Sequence, residues 1–200
     1  MKGKVEILQT EEDIEELFRL RYQVFVEEEG NMEPKPDEQI YDGFDKISMN
    51  IAAIIDGNIV GGLRLTAPSE SGIPADEFFD FHRYIPEHPA RCGGGSMLCI
   101  SRKYRRSINL IIALNSLFFY WGISTGLTHI YGAANPVREP FFVSKGYRRL
   151  SPPFYHEKKK LDCLPVIIDL NEIKEPYLSV VQNHIANHGL GSKEPVLFDM

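Results

Sequence analysis

The stretch that most constrains this 200-residue chain runs from Ser96 to Tyr147. It opens on a short apolar segment, Ser96-Met97-Leu98-Cys99-Ile100-Ser101-Arg102, of strand length, followed by a basic turn, Lys103-Tyr104-Arg105-Arg106. Ile108 to about Thr125 reads as a long apolar helix with Gly126 as its stop. Thr128 to Asn135 is a second strand, and Pro136 leads from it into a short helix closed by Gly146-Tyr147. A strand returning through a helix lies parallel to the one that preceded it. The basic turn stands at a helix N-terminus, where unpaired N–H groups and the helix dipole favour an anionic ligand.

Before this unit, Val5, Ile7 and Leu8 make a weak strand, and Thr10 caps a helix that starts with Glu11-Glu12-Asp13. Apolar residues at Ile14, Leu17, Phe18, Tyr22, Phe25 and Val26 recur at three and four, an amphipathic helix bent into two. Glu27 to Ile40 is an acidic loop, and Asp42-Gly43-Phe44-Asp45 closes it. Strands over 47–55 and 58–66 flank the hairpin turn Asp56-Gly57, and Gly61-Gly62 marks a bulge or a close backbone approach. Residues 67–95 form a long connection with a short helix over 75–81. After Tyr147 come a loop over 148–162, a strand over 164–170, a helix over 171–187 interrupted near Pro176, and a tail over 189–200 of little pattern. The expectation is one α/β domain over 1–200, its core at about 5–170 and a C-terminal helix and tail at 171–200, with a mixed sheet.

Charge is distributed unevenly. The formal net charge is -6, which argues against a nucleic-acid binder, yet residues 81–160 carry 13 bases against 3 acids. That basic block suits a phosphate-bearing ligand or an acidic partner protein, and equally a domain that is simply polarised. Three cysteines, Cys92, Cys99 and Cys163, form no paired framework, which points to a reducing compartment. The N-terminus lacks a signal-peptide apolar region, and the run Leu110–Ile123 is too short to span a bilayer, so a cytoplasmic protein without a membrane span is expected. His82, His88 and Cys92 are spaced too irregularly for a zinc site, and no metal is expected.

In the order and spacing of several short motifs the chain resembles the GCN5-related N-acyltransferases. More narrowly it is similar to the branch of autoinducer (acyl-homoserine-lactone) synthases and long-chain N-acyl amino acid synthases. The motifs are Arg21 with Phe25 in Leu20-Arg21-Tyr22-Gln23-Val24-Phe25-Val26-Glu27-Glu28, Asp42-Gly43-Phe44-Asp45, and the hairpin Asp56-Gly57-Asn58-Ile59-Val60-Gly61-Gly62-Leu63-Arg64-Leu65. Ser101-Arg102 and Gly146-Tyr147 complete them. The resemblance covers about residues 5–150 and implies a strongly twisted mixed sheet with helices on both faces. Its central strands, here about 96–102 and 128–134, would splay to admit the pantetheine arm of an acyl thioester. Acyl-CoA or the phosphopantetheine of an acyl-carrier protein would supply that arm. The backbone at Leu98, Cys99 and Ile100 would polarise the thioester carbonyl, and a small-molecule acceptor's amine would attack it directly. Arg21, Phe25, Asp42, Asp45, Arg64 and Arg102 would orient an amino-acid-like acceptor, whose carboxylate suits an arginine fork. Arg105, Arg106, Ser107, Asn135 and Phe142 would receive the donor.

The chain also departs from these patterns. The stretch Tyr104 to Leu110 lacks the glycines with which acetyl-CoA users cradle pyrophosphate, as the autoinducer branch also does. Cys99 stands where that branch has a Glu, Ile40 replaces the Glu before its paired aspartates, and Phe142 holds the place of an acetyltransferase's acidic Tyr. The expected activity is therefore an N-acyltransferase that moves a medium or long acyl chain from acyl-carrier protein or coenzyme A to the amino group of an amino-acid-like acceptor. Three rivals stay open: an autoinducer synthase using S-adenosylmethionine, an acetyl-CoA-dependent N-acetyltransferase, and a degenerate acyl- or CoA-binding protein. Single residues carry structural alternatives as well. Arg102 could pair with Asp42 or Asp45, and Cys99 reads as a small core residue. His129 reads as a satisfied strand histidine or a general base. At least two of Glu27, Glu28 and Glu29 read as solvated, the third as a base. Phe118-Phe119-Tyr120-Trp121 reads as core that could also wall an acyl tunnel.

Overall fold

The computed structural model describes residues 2–84, 91–157 and 161–200. Nine strands form one sheet in the order β6-β8-β5-β4-β3-β2-β1-β9, with β7 paired to β8. The first half is antiparallel: β1 (Lys2–Ile7) pairs β2 (Ser48–Ile55), which turns at Asp56-Gly57 into β3 (Asn58–Thr66), and β3 pairs β4 (Cys92–Ile100). α2 (Ile108–Ser124) then carries the chain to β5 (His129–Ala134), parallel to β4. Two of the three core clusters lie on opposite faces, as the alternation along a strand requires. Ile51, Ala53, Leu63 and Leu65 pack with Leu114, Phe118 and Phe119 of α2 and Val181 of α4 (Tyr177–His188). Ala52, Ile59 and Cys99 pack with Leu17 and Leu20 of α1 (Glu11–Tyr22). The mixed α/β sheet with helices on both faces is therefore present.

Thr10 caps α1 by accepting the Asp13 N–H, and the expected bend is a π-helical turn over Gln23–Glu28. The helix over 75–81 is instead two 3-10 turns, Pro74–Glu77 and Phe81–Tyr84. β4 starts at Cys92, before the expected Ser96, because its glycines make room rather than break it. A Cβ at Gly95 would stand 2.9 Å from the Phe118 ring. The stretch 148–162, read as loop, contributes β6 (Arg148–Arg149) and β7 (Phe154–His156), both added to β8 (Leu161–Asp169). The short helix α3 (Glu139–Val143) precedes them, and α4 begins only after Pro176. The tail holds β9 (Val196–Asp199), which pairs antiparallel with β1. Among the described residues no helix is long and apolar enough to cross a membrane, and no three His, Cys, Asp or Glu side chains are grouped to hold a metal. His88, the His82 side chain and the run Lys158–Lys160 lie outside the described residues.

Candidate active site

β4 and β5 pair at three positions, Cys92↔His129, Gly93↔Ile130 and Gly94↔Tyr131, and the ladder then stops. At the point of parting the backbones remain close: a Cβ on Gly132 would lie 2.8 Å from the Gly95 carbonyl oxygen. Beyond it β4 stays paired only to β3, where the register slips between Gly62↔Cys99 and Arg64↔Ser96. The slip is a bulge centred on Met97, whose φ is 57°. Leu98 and Ile100 consequently pack with the α2-side core, and Met97 and Cys99 with the α1-side core. Past the end of the ladder, between β4 and the segment that follows β5, lies a cavity of about 440 Å³. Leu98 and Ile100 line it from β4, Arg105 and Ile111 from the start of α2, and Val137, Arg138 and Phe141 from the β5–α3 turn, with Glu29 as the remaining charged group.

The expected polar cluster assembles on the α1 side of the sheet. Asn50, Arg64 and Ser96 lie abreast on β2, β3 and β4. Arg64 binds both oxygens of Asp42 at 2.7 and 3.0 Å and Asp45 Oδ2 at 3.0 Å, and its Nε donates to Ser96 Oγ at 2.9 Å. Arg21 donates to Asp45 Oδ1 at 2.8 Å and to Asn50 Oδ1 at 2.7 Å. The two arginines are 0% exposed, Asp45 5% and Asp42 38%. Burial works to raise the Asp42 carboxyl, but the Arg64 hydrogen bonds and charge outweigh it and hold it below its ordinary value. Arg21, Asp42, Asp45 and Arg64 thus hold one another, the buried Arg21 Nε is left without a hydrogen-bond partner, and of the four only Asp42 is substantially exposed. Phe25 is buried in the α1-side core, and its carbonyl accepts from the N–H of Asn31 and Met32. Arg102 does not join this group. β4 ends at Ile100, and Arg102 sits exposed on a 3-10 turn, its backbone N–H 3.4 Å from Glu28 Oε1.

The acidic turn is ordered differently from a solvated one. Glu27 is exposed, but Glu28 and Glu29 are drawn in by distant arginines. Arg105 donates to Glu28 Oε2 at 2.6 Å and, through Nε, to the Ile100 carbonyl at 2.8 Å. Glu29 Oε1 lies 2.8 Å from Arg138 and 3.4 Å from Arg105. Arg105 therefore faces the gap rather than an outer phosphate site. Arg106 and Ser107 line a separate, open recess of about 450 Å³ at the start of α2 with Lys103, Asn109 and Met200. Ser107 caps α2 by accepting the Leu110 N–H. Asn135 accepts the Val137 N–H and so shapes the β5 rim of the gap.

Phe141, not Phe142, lines the cavity; Phe142 stands edge-on to Tyr147, with centroids 5.3 Å apart. Lys145, which sequence reasoning passed over, is wholly buried. Its Nζ donates to the Phe141 carbonyl at 2.7 Å and sits 2.8 Å from the Phe141 ring centroid. Burial lowers its pKa to about 7. Burial likewise pushes the Cys99 thiol up to about 12 and raises the Tyr147 hydroxyl, so neither gives up a proton readily. His129 belongs to the paired end of β4 and β5, beside Thr128 and Asp169. Phe118, Phe119 and Tyr120 are core, with no cavity opening on them among those described. Arg138 and Phe141 had no sequence signal beyond membership of the basic block and of the short helix.

The chain's fold matches an N-acyl amino acid synthase from uncultured soil microbes, FeeM, with a TM-score of 0.71, 10% identity, and coverage of 85% of this chain and 91% of that one. It matches a CoA-dependent acyl-homoserine lactone synthase, BjaI, solved with SAM and isopentyl-CoA. There the TM-score is 0.69 at 19% identity, over 96% of this chain and 92% of the other. The autoinducer synthase LasI gives a TM-score of 0.65 at 17% identity, over 86% and 91%. No curated protein matches the sequence significantly. The sequence model of the N-acyl amino acid synthase FeeM matches residues 16–169, a span that holds the polar cluster, the bulge and the whole gap between β4 and β5. The chain is thus an acyltransferase that belongs to the FeeM family of N-acyl amino acid synthases.

Proposed function

We propose that this enzyme moves an acyl chain from a thioester, carried by CoA or by acyl-carrier-protein phosphopantetheine, to the amino group of an amino-acid-like acceptor. The observation that carries the reading is the early end of the β4–β5 ladder at Gly94↔Tyr131. From there on the β4 edge facing β5 has no strand partner, and a cavity takes its place. An extended arm with amide groups of its own can pair with such an edge as an added strand would. The bulge at Met97 turns Leu98 and Ile100 toward the donor side, where a backbone N–H aimed at the developing oxyanion would stabilise it. Direct attack is favoured over a covalent enzyme intermediate because Cys99 is buried, protonated and turned toward α1.

The acceptor would approach from the α1 side, beneath Asp42. With all three Arg64 nitrogens and both terminal Arg21 nitrogens engaged, we assign the two arginines to holding Asp42 and Asp45 in place rather than to touching the acceptor directly. The donor's phosphate would lie in the recess with Arg106 and Ser107, at the positive end of the α2 dipole. The test is incubation of the purified protein with acyl-CoAs and acyl-carrier proteins of graded chain length against a panel of amino acids. Free thiol and product mass are followed. Thiol release with an N-acyl amino acid is expected without S-adenosylmethionine; release only in its presence, with a lactone product, would replace this reading by the autoinducer one.

A further inference from the structure

Resting on that reading, we propose that Glu29 accepts the proton that the acceptor's ammonium must lose before its nitrogen can attack the thioester. An α-amino group has a pKa of about 7.7–8.0 in a peptide and is more basic in a free amino acid, so at neutral pH most of it lacks a lone pair. A base must then stand within hydrogen-bond reach of the attacking nitrogen.

The cavity between β4 and β5 offers one. Of the charged groups that line it, Arg105 and Arg138 are cations and cannot accept a proton; Glu29 is the carboxylate. The same cavity is lined by Leu98 and Ile100, the backbone stretch assigned to the thioester carbonyl. The neighbouring carboxylates do not line this cavity. Glu28 is bound by Arg105 at 2.6 Å and Gln23 at 2.9 Å, and Asp42 and Asp45 belong to the arginine cluster. β4 presents Ser96, Met97 and Cys99 toward α1, none of them a carboxylate.

The π-helical turn places Glu29, whose N–H donates to the Val24 carbonyl at 3.0 Å. Widened turns of this kind recur at functional sites. Arg138 and Arg105 approach Oε1, and the Asn31 amide donates to Oε2 at 3.0 Å, so the carboxylate is held in one orientation. Arg138 is the more exposed of the two arginines, 48% against 32%, and is the partner an incoming ammonium displaces.

The step balances as follows. The ammonium gives one proton to Glu29, and the freed nitrogen lone pair forms the C–N bond while the carbonyl electrons move to oxygen. Collapse breaks the C–S bond; the nitrogen's next proton goes to the leaving thiolate, and Glu29 returns its own to water. The products are an amide, a free thiol and one proton.

The test compares wild type with Glu29→Gln and Arg138→Ala on whichever donor and amino acid release thiol. Each is also run with a dipeptide acceptor, whose amine is less basic. Glu29→Gln should lower kcat/KM about 10²-fold or more at neutral pH. The loss should shrink as pH rises and with the dipeptide, because free amine is then supplied by solution. Arg138→Ala should show no such dependence. A Glu29→Gln rate within about three-fold of wild type, or a loss uniform across pH and acceptors at unchanged donor affinity, overturns the assignment, since the general-base term expected is far larger. If Glu29→Gln does not fold, Glu29→Asp against Glu29→Asn gives the same contrast, the aspartate alone keeping the wild-type pH limb. Absence of thiol release by wild type with every pair strikes the acyltransfer reading itself, and this assignment with it.

Discussion

The Arg64 guanidinium grips Asp42 through both carboxylate oxygens, at 2.7 and 3.0 Å, from a position with no solvent exposure. The same group reaches Asp45, which in turn holds Arg21. Two cations and two anions are therefore closed into one network between α1, β3 and the turn before β2, and removing Arg64 leaves Asp42 without its cation and Asp45 with Arg21 alone. Arg64→Ala is expected to destabilise by about 3–5 kcal/mol, read from urea unfolding. Changing Asp42 and Asp45 to asparagine in the same background should restore part of it. The Asp42 carboxyl lies below its ordinary value in the fold, so its contribution is complete above that value, about 3.9, and fades as pH falls through the folded one. Asp42→Asn should accordingly lose the wild-type steepness of stability at acid pH.

Met97 adopts a left-handed backbone, φ 57°, that a branched side chain tolerates poorly. Met97→Ile should cost about 1–3 kcal/mol, whereas Met97→Gly trades lost packing for relieved backbone. The informative readout is turnover, since the bulge directs Leu98 to Ile100. Met97→Ile is expected to depress kcat more than KM, and equal kcat in the two variants would show that the bulge does not govern the reaction.

Gly132 stands where the parting strands still touch. A Cβ there meets the Gly95 carbonyl at 2.8 Å, so Gly132→Ala should force β4 and β5 apart at a cost of about 1–3 kcal/mol. Gly43, around which nothing lies within 4 Å, is the control, and Gly43→Ala should stay within about 0.5 kcal/mol. Thermal melts measure both, and calorimetry with a non-transferable acyl-CoA thioether should show weaker donor binding for Gly132→Ala only.

Lys145 carries a pKa near 7 in the fold because burial disfavours its charged form, against about 10.4 in an unfolded chain. Between those values the unfolded state binds more protons, so this residue makes stability rise with pH; below about 7 both states are protonated and the full penalty of a buried ammonium applies. Lys145→Met should therefore be most stabilising at pH 6 and lose its advantage toward pH 10, measured as the difference between denaturant midpoints.

The crossover unit from β4 to α3 was legible because its signals are local: an apolar strand, a capped apolar helix of 17 residues, a glycine stop and a second strand. The early end of the β4–β5 ladder was expected only through the resemblance, and no period within either strand encodes it. β9 escaped notice because four residues give too few alternations to separate from a tail, and its reason to be ordered is the edge of β1. β6 was hidden for a related reason: two arginines are poor strand formers until β8 offers them a partner.

Arg21, Asp42, Asp45 and Arg64, grouped from the sequence, lie in contact in the fold, but composition says nothing of how they pair with one another. Arg102 was assigned to them from its place after an apolar strand. Strand β4 ends two residues before it, and the turn carries its side chain away. Solvation was expected for at least two of Glu27, Glu28 and Glu29, and the pairing of Glu28 and Glu29 was hidden because their partners, Arg105 and Arg138, lie more than 70 residues along the chain.

Three residue pairs join the leaf β9-β1-β2-β3-β4 to the leaf β5-β8-β6 within the sheet. Such a spine is short for a molecule of nine strands, and a donor arm lying along β4 would act as mortar between the leaves. Hydrogen exchange should then slow in β5 and β8 when the thioester binds, including amides far from any atom of the ligand. Substrate, on this view, completes the architecture it is about to use.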